Sequence, residues 1–350
     1  MGMARAWLAG LLLLALGVPP ALRPAPAFPG SPAILGKGPL PIRNQSPVQL
    51  LFLQLAPEGA RPVPREVWEV RADLVETNTL VAEGPSPAGF AGVLNFEQTR
   101  LNVTVRRGLW PGGEGGIELP IVYGWGGILD SFIDAFEHLI DMRRDLRRDE
   151  VSVGGQNRYR YSITRNGGAF LQGESGDWDI GDLALTAKHA LWEEPDASLA
   201  LRAGVKLPTG RPSRATGSGD VDLALGIAGD LRRPPLAAYA NLSGTLPLGR
   251  FRGESVNPIV SGLLGLEVAL TETSAFLVQV EGISAPFSGT GLAFLDDPIF
   301  QFQVGLRFLL RPNLLLDVGI IEDFWFQPVR SVEASADFSV YASLRATWGP

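Results

Sequence analysis

The sequence is dominated by segments in which apolar and polar residues alternate with a period of two. In the clearest of them, Ser198 to Leu207, leucine, alanine and valine occupy every second position, and Arg202 and Lys206 lie between them. Successive side chains of a β-strand point to opposite faces of the sheet. Each such segment therefore predicts a strand with one apolar face and one polar face.

About twelve such segments follow Pro64, and the connections between them alternate between short and long. A soluble β-sandwich has the same side-chain alternation, but it has no reason to sort its loops by length. Short turns at one rim and long loops at the other are typical of outer-membrane barrels, whose strands cross the bilayer with about 9–11 tilted residues. The predicted strands span residues 66–79, 92–107, 115–124, 181–191, 197–207, 219–230, 236–246, 258–270, 273–284, 298–309, 312–321 and 336–348.

The predicted fold class is therefore all-β, a transmembrane antiparallel β-barrel of about twelve strands. The alternative is about fourteen strands, if a hairpin within residues 157–175 joins the wall. Segment 92–107 changes phase near Gln98-Thr99, between Phe96 and Leu101. A β-bulge there would keep both side chains on the outer face, and we predict one.

The N-terminus has the parts of a secretory signal peptide. Arg5 precedes the apolar run Leu8 to Val18, and the small-residue site Ala25-Pro26-Ala27 follows. The apolar run is too short to cross a bilayer as a helix, which takes about 20 residues. We predict export by a Gram-negative bacterium, cleavage after Ala27 or alternatively near Ala21, and a final location in the outer membrane.

The chain then divides into two parts after the signal peptide of residues 1–27. Residues 28–64 are rich in proline and contain the apolar island Val48 to Leu55. This segment is predicted to be periplasmic or to plug the barrel. Residues 65–350 are predicted to form the barrel itself.

The strand phases place charges of both signs on the polar faces, which look into the lumen. Two interpretations stay open: an ion-paired interior that holds a narrow barrel closed, or a water-filled channel whose walls set conductance. Mixed signs argue against strong selectivity for anions or for cations. The predicted lumen-facing charged residues are Arg71, Asp73, Arg202, Lys206, Asp220, Asp222, Glu267, Glu281, Arg307, Asp317 and Arg345.

The longest connection, residues 125–180, contains apolar residues at helical spacing. They predict an amphipathic helix in an extracellular loop, packed on the barrel mouth or, alternatively, resting on lipid or closing the pore. In the same connection Asn166-Gly167 predicts the turn of a hairpin. The apolar face of the predicted helix comprises Phe132, Ile133, Phe136 and Leu139.

The sequence carries no signature of catalysis or of metal binding. There is no cysteine, and neither His138 nor His189 precedes a serine that it could activate as a nucleophile. The phase of its strand puts His189 on the lipid side near the periplasmic rim. We therefore predict no enzyme, no cofactor and no metal site. A net charge of −7 likewise predicts no nucleic-acid partner.

Several segments give the chain a resemblance to a bacterial outer-membrane β-barrel family catalogued as domain of unknown function 3187. The resemblance implies a barrel and its location, and it implies no established activity. One departure is that Glu137 stands between Phe136 and His138, where the family pattern has Phe-His. The matching segments are Asn44 to Pro47, Phe96 to Thr99, Glu118 to Pro120, Gly126 to Asp134, Gly181 to Leu183, Lys206 to Gly210 and Gly217 to Asp220.

These observations favour passive passage of small solutes across the outer membrane. A plugged structural or surface-interaction barrel without transport is the alternative, and a lipid-modifying enzyme ranks third because of the histidine contexts. The expected partners are outer-membrane lipid, a small solute, and the barrel-assembly machinery, which would recognise the C-terminal strand ending at Trp348.

Overall fold

The computed structural model describes residues 33–131, 133, 154–323 and 338–350, so the predicted signal peptide lies outside the described residues. Two 3-10 helices, Gln49–Leu51 and Pro212–Arg214, and the short helix α1 (Ala293–Asp296) accompany the strands. In chain order the strands are β1 (Trp68–Glu83), β2 (Phe90–Trp110), β3 (Gly113–Trp125), β4 (Arg160–Arg165), β5 (Gly168–Gln172), β6 (Trp178–Ile180), β7 (Leu183–Glu193), β8 (Ala197–Leu207), β9 (Asp222–Arg233), β10 (Leu236–Pro247), β11 (Arg250–Phe251), β12 (Glu254–Ser255), β13 (Ile259–Ala269), β14 (Ser274–Ile283), β15 (Ile299–Arg311), β16 (Leu314–Asp323) and β17 (Phe338–Trp348).

Twelve of these strands pair antiparallel with their neighbours along the chain, and β17 pairs with β1 to close the ring. The closed barrel confirms the predicted fold class. The hairpin β4–β5 does not join the wall: β4 pairs with the first residues of β2, Phe90 to Asn95, and only extends the sheet there. Its turn, Asn166-Gly167, has positive φ at both residues, which is what a two-residue hairpin turn requires. The alternative of fourteen wall strands is therefore wrong.

The two rims of the barrel differ, as predicted. Turns at residues 111–112, 194–196, 234–235, 270–273 and 312–313 lie at one end, which we call the short-turn rim. The longer connections lie at the opposite end, the long-loop rim. In outer-membrane barrels the short turns face the periplasm. None of the helices in the described parts of the chain has the length and apolar composition that crossing a membrane requires.

The outer face of the barrel is apolar and exposed. In β8 and β9 every outward residue from Leu199 to Leu201 and from Leu223 to Leu231 alternates with a buried inward one. A folded surface this apolar faces hydrocarbon, because water would disfavour so large a patch. Exposed outward side chains include Ile117, Leu185, Leu199, Leu201, Leu223, Leu225, Ile227, Leu242, Leu264, Leu266, Phe300, Phe302 and Leu306.

The predicted β-bulge near Gln98-Thr99 is wrong. The β1–β2 register runs without a break from the pair Trp68 and Arg107 to the pair Glu83 and Gly92. Phe96 therefore shares the lumen side with Arg106, and it packs in a buried apolar cluster there. The strand keeps its phase while its surroundings change, because near the long-loop rim the lumen is apolar and the outer face is covered by polar loop contacts.

The predicted loop helix lies mostly outside the described residues. Its beginning is helical, since the amide of Ile133 donates to the carbonyl oxygen of Leu129 at 2.8 Å, and Ile133 is buried. Phe132, Phe136 and Leu139 are not among the described residues, so their roles stay predictions.

A charge placed on the outer face tests its contact with lipid. We expect Ile227→Arg, at mid-strand in β9, to lower the free energy of unfolding in lipid vesicles by about 2–4 kcal/mol. The control Leu248→Arg lies just past β10, where Leu248 is 56% exposed, and should cost about 0–1 kcal/mol. Urea titration of the vesicle-inserted protein measures both. Equal costs at the two positions would contradict a lipid-facing belt.

Candidate functional site

The lumen is filled by residues 33–64, which we call the plug. The plug enters at the short-turn rim, where the amide of Ile34 donates to the carbonyl oxygen of Glu272 in the turn at 270–273. It rises to the long-loop rim, reverses there, and returns to the short-turn rim, where Arg61 donates to the carbonyl oxygens of Glu194 and Pro195. Residues 33–43 form its ascending leg and residues 50–64 its descending leg. The apolar island Val48 to Leu55 thus lies inside the barrel, with Val48, Leu51, Phe52 and Leu53 buried.

The ascending leg is held through its backbone. Arg307, fully buried in β15, donates to the carbonyl oxygens of Gly38 at 2.6 Å and Pro39 at 3.1 Å. The same guanidinium pairs with Asp317 at 2.7 Å and with Glu267 at 3.4 Å. Further along, the amide of Leu40 donates to Gln279 of β14, and Gln279 donates back to the carbonyl oxygen of Leu40. Side chains of the wall therefore replace the strand or helix partners that the proline-rich plug lacks.

The descending leg is held by a charge cluster around Glu58. Its carboxylate lies 2.6 Å from Arg202 of β8, 3.0 Å from Arg106 of β2 and 3.2 Å from Lys188 of β7. Asn241 of β10 accepts from the amide of Glu58 and donates to its carbonyl oxygen. Burial by itself would raise the pKa of Glu58, but the three cations outweigh it and hold that pKa well below its usual range. A single plug carboxylate thus joins three strands of the wall, and the backbone of the same residue joins a fourth.

Between Glu58 and the long-loop rim, side chains of β8, β9 and β10 bond the plug backbone. The ammonium of Lys206 donates to the carbonyl oxygen of Leu51 at 2.7 Å and pairs with Asp222 at 2.9 Å. Asp222 in turn accepts from the amide of Leu53, whose carbonyl oxygen accepts from Thr245. The wall charges Lys206 and Asp222 therefore pair with each other, and each also bonds a backbone group of the plug.

A cluster of aromatic rings, the aromatic cap, lies at the long-loop rim. We define it as Phe52 of the plug, Phe170 of β5, Phe251 of β11 and Phe287 of the loop before α1. Phe52 lies 6.3 Å from Phe251 and 6.0 Å from Phe287, ring centroid to ring centroid, and Phe170 contacts the same two rings at 5.5 and 5.9 Å. All four rings are buried. The plug therefore contributes one of the four rings that pack together at this rim.

Nine of the eleven predicted lumen charges are buried inside the barrel, and two differ. Arg345 faces the lumen near the short-turn rim and is half-buried. Asp220 is not part of the wall, because β9 begins two residues later at Asp222 and leaves Asp220 in a loop at the long-loop rim. The buried nine are Arg71, Asp73, Arg202, Lys206, Asp222, Glu267, Glu281, Arg307 and Asp317.

Sequence reasoning missed three buried wall charges that lie beside the plug. Arg106, Glu114 and Glu118 are buried in the lumen, and Glu118 pairs with Arg43 of the plug. The signal for Arg106 was present, since it opposes the outward run Leu101 to Val105. Glu58 and Arg43 gave no signal, because each is a single charge in an aperiodic segment.

A cavity of about 430 Å³ opens between the two legs of the plug at the short-turn rim, and we call it the rim cavity. Its described lining comes from both legs, from the turns at 194–196 and 234–235, and from inward wall residues. Lysines and arginines outnumber aspartates and glutamates in that lining. Its lysines and arginines are Lys37, Arg61, Arg71, Arg106, Lys188, Arg232, Arg233 and Arg345.

The described residues hold no cluster of histidine, aspartate and glutamate with the arrangement of a metal site. His189 is exposed on the outer face near the short-turn rim, as its phase predicted, and accepts a hydrogen bond from the indole of Trp110 at 3.2 Å. His138 is not among the described residues. The described histidine is thus placed for contact with the membrane interface, where tryptophan is common.

The segments that carry the family resemblance meet in clusters. At the long-loop rim Asp182 accepts from the amides of Gly210 and Ser218 and pairs with Lys206 at 3.0 Å. Three of the matching segments therefore meet around one carboxylate. This carboxylate holds together the loop before β7 and the loop between β8 and β9.

A second cluster lies on the outer face near the same rim. Glu97 accepts from the amide of Leu129, and Asn78 donates to Asp130 at 3.0 Å. Asp130 also accepts from the amide of Asn157. These contacts fasten both ends of the longest loop to β1 and β2. They explain why the outer face of β2 turns polar above Gln98.

A closed twelve-stranded antiparallel barrel with an apolar outer belt, sorted loops and a charged interior defines an outer-membrane β-barrel protein. Within that class the chain belongs to the family described as protein of unknown function DUF3187, whose model matches residues 25–348. The resemblance inferred from the sequence is thereby confirmed. A search of curated proteins gives no match.

One solved outer-membrane channel supports the fold, and two porins are more distant matches. The COG4313 outer membrane channel from Pseudomonas putida F1 is 11% identical, with a TM-score of 0.54 over 84% of this chain and 100% of that one. The NanC porin is 7% identical, with a TM-score of 0.41 over 81% and 99% of the two chains. A KdgM porin in complex with disordered oligogalacturonate is 6% identical, with a TM-score of 0.38 over 81% and 99%. At these identities the likeness concerns the fold.

Proposed function

We propose that this protein is an outer-membrane channel for small polar solutes that rests closed, with residues 33–64 as its gate. The observation that carries the proposal is the chemistry of the plug–wall contact. Arg202, Lys206 and Arg307 hold plug backbone carbonyls, which are groups that water can replace. When the plug leaves, the wall that remains is charged and suited to hydration.

The energetic argument points the same way. Buried ion pairs contribute little stability compared with apolar packing of the same volume, because each charge loses its hydration. A barrel that served only as a scaffold would be stabilised more by an apolar interior. Charges of both signs around a lumen are useful where the lumen fills with water during passage. No catalytic step is part of this proposal, and outer-membrane lipid and the barrel-assembly machinery remain its proposed partners.

One observation favours a second candidate, a plugged structural barrel without transport. The aromatic cap seals the long-loop rim with apolar contacts from four separate segments, which is more than a plug alone needs. If the cap never opens, the barrel serves as a membrane anchor for its loops.

A reversible lock on the plug separates the two candidates. Ala60 of the plug and Ala228 of β9 belong to one buried apolar cluster, so a cysteine pair at these positions is a candidate cross-link, and loss of free thiols on oxidation verifies that the disulfide forms. The natural chain has no cysteine, so Ala60→Cys/Ala228→Cys introduces the only two thiols. In planar bilayers we expect rare stepwise currents from the reduced pair, none after oxidation, and recovery with reductant.

The single variants Ala60→Cys and Ala228→Cys are the controls and should conduct like the natural chain under both conditions. Currents that persist in the oxidised pair would show that the plug is not the gate. A natural chain that never conducts, although folded, would favour the structural barrel.

A further inference from the structure

The rim cavity has room for a small molecule and an excess of positive charge. Its volume of about 430 Å³ lies within the usual range of ligand pockets, roughly 300–1,000 Å³. The chain as a whole carries a net charge of −7, so the local sign is opposite to the global one. The cavity opens at the short-turn rim, and solutes on that side can reach it.

The acidic residues of the lining already have ion-pair or hydrogen-bond partners. Glu69 pairs with Arg106 at 3.3 Å, and Asp317 pairs with Arg307 at 2.7 Å. Asp230 accepts from the amide of Ala60 at 3.0 Å. These carboxylates therefore do not form ion pairs with every lysine and arginine of the cavity.

Three cations of the lining, from different elements, have donor groups that no carboxylate of the described residues accepts from. Neither Lys37 of the ascending leg nor Arg345 of β17 has an ion-pair partner among the described residues, although Arg345 donates to the carbonyl oxygen of Lys37 at 2.9 Å. Arg71 of β1 pairs with Asp73 through Nε at 2.9 Å. Its Nη2 is buried and has no hydrogen-bond partner in the described structure, and the side chain is only 3% exposed.

The electrostatics of Lys37 agree with this geometry. Its side chain is exposed to the cavity, and the enclosing barrel lowers its pKa, first by burial and then through the charges of Arg345 and Arg232. An anion placed among these groups would relieve the repulsion between them.

We propose that the rim cavity is a binding site for a small multivalent oxyanion, a phosphate or a carboxylate compound, held by Lys37, Arg71 and Arg345. An oxyanion supplies several acceptors, which match the buried Nη2 of Arg71, the second guanidinium and the ammonium. Because Lys37 belongs to the plug and the two arginines to the wall, a bound anion joins plug and wall. The site does not depend on whether the barrel conducts.

Calorimetry on the full mature chain in detergent tests the site, with inorganic phosphate in one arm and succinate in the other at constant ionic strength. We expect saturable binding of at least one probe and roughly tenfold weaker binding in both Lys37→Gln and Arg345→Gln. Stronger binding of phosphate or of succinate then identifies which oxyanion the site prefers.

The matched control is Arg311→Gln, an exposed arginine beside the turn at 312–313 that does not line the cavity. It should bind like the natural chain. Barrel folding of each variant is checked by heat-modifiable mobility on gels. The proposal would be overturned if the natural chain showed no saturable binding of either probe. It would also be overturned if folded Lys37→Gln and Arg345→Gln bound the probes as tightly as the natural chain does.

Discussion

Deleting residues 33–64 is expected to convert a barrel that is closed most of the time into one that conducts continuously. The deletion removes both legs of the plug and with them Phe52, one of the four rings of the aromatic cap. An eight-stranded barrel is filled by its own side chains, and barrels of 16–18 strands leave an aqueous channel. Twelve strands lie between these limits, so the interior has space that the plug occupies.

The truncated barrel should still fold. Its backbone hydrogen bonds close on themselves around the ring, and no sheet edge is exposed by the deletion. Wall groups such as Arg307 and Lys206 exchange plug carbonyls for water and keep Asp317 and Asp222 as ion-pair partners. The loss of apolar plug contacts near the cap should lower thermal stability without abolishing it.

Planar-bilayer recordings at matched protein amounts measure the fraction of time spent conducting. We expect it to rise from near zero in the full mature chain to near one in the truncated chain. Swelling of proteoliposomes in small sugars gives the same comparison for neutral solutes. A truncated barrel that is folded but impermeable would contradict a gated lumen and leave the cap as the seal.

Replacing Glu58 with glutamine is expected to loosen the plug without removing it. The substitution keeps the shape of the side chain and removes the charge that faces Arg106, Lys188 and Arg202. Breaking one partner of a buried charge cluster costs about 3–5 kcal/mol, because the remaining charges lose compensation. Water entering the lumen offsets part of this, so a cost of about 3 kcal/mol and roughly a hundredfold increase in opening are expected.

The control is Glu66→Gln between the plug and β1, where the Glu66 side chain is 57% exposed and its ion pair with Arg65 spans 3.9 Å. It should open like the natural chain, since exposed ion pairs contribute little. Single-channel opening frequency separates the two variants. Equal frequencies in Glu58→Gln and Glu66→Gln would show that the charge cluster does not hold the plug.

The pH dependence follows from the same group. The pKa of Glu58 is depressed in the docked plug and should return to the usual value, about 4.3, when the plug is released into water. A depressed carboxyl pKa stabilises the docked state at every pH above the released value and loses that contribution as pH falls through the docked value. Opening that depends on Glu58 should therefore stay constant from pH 7 to pH 5.

The sequence predicts the wall well because the wall obeys one rule. Segment 197–207 matches β8 at both ends, and its inward residues Arg202 and Lys206 are buried as the phase required. The rule holds only where one side of the strand faces lipid and the other faces a polar interior. Around Phe96, near the long-loop rim, the lumen is apolar and the outer face is polar. An unbroken strand there has the sequence pattern that a β-bulge would give elsewhere.

The plug could be predicted only in part. Its apolar island Val48 to Leu55 stands out from the proline-rich surroundings and indicates burial. The sequence does not indicate the contacts of the plug. Glu58 meets Lys188 and Arg202 across separations of 130 and 144 residues, and no local pattern encodes such pairs. The rim cavity was equally hidden, since it is a gap between two aperiodic legs.

The path of the plug decides from which side the barrel can be opened. Both legs leave through the short-turn rim, one toward the N-terminus of the chain and the other into β1, and only the bend reaches the opposite mouth. Pulling on the N-terminal side would withdraw residues 33–64 from the lumen through the short-turn rim, while the end of the descending leg stays attached to β1. The bend lies beneath the aromatic cap, so a plug that acts as the proposed gate would be released from the short-turn rim and not from the long-loop rim.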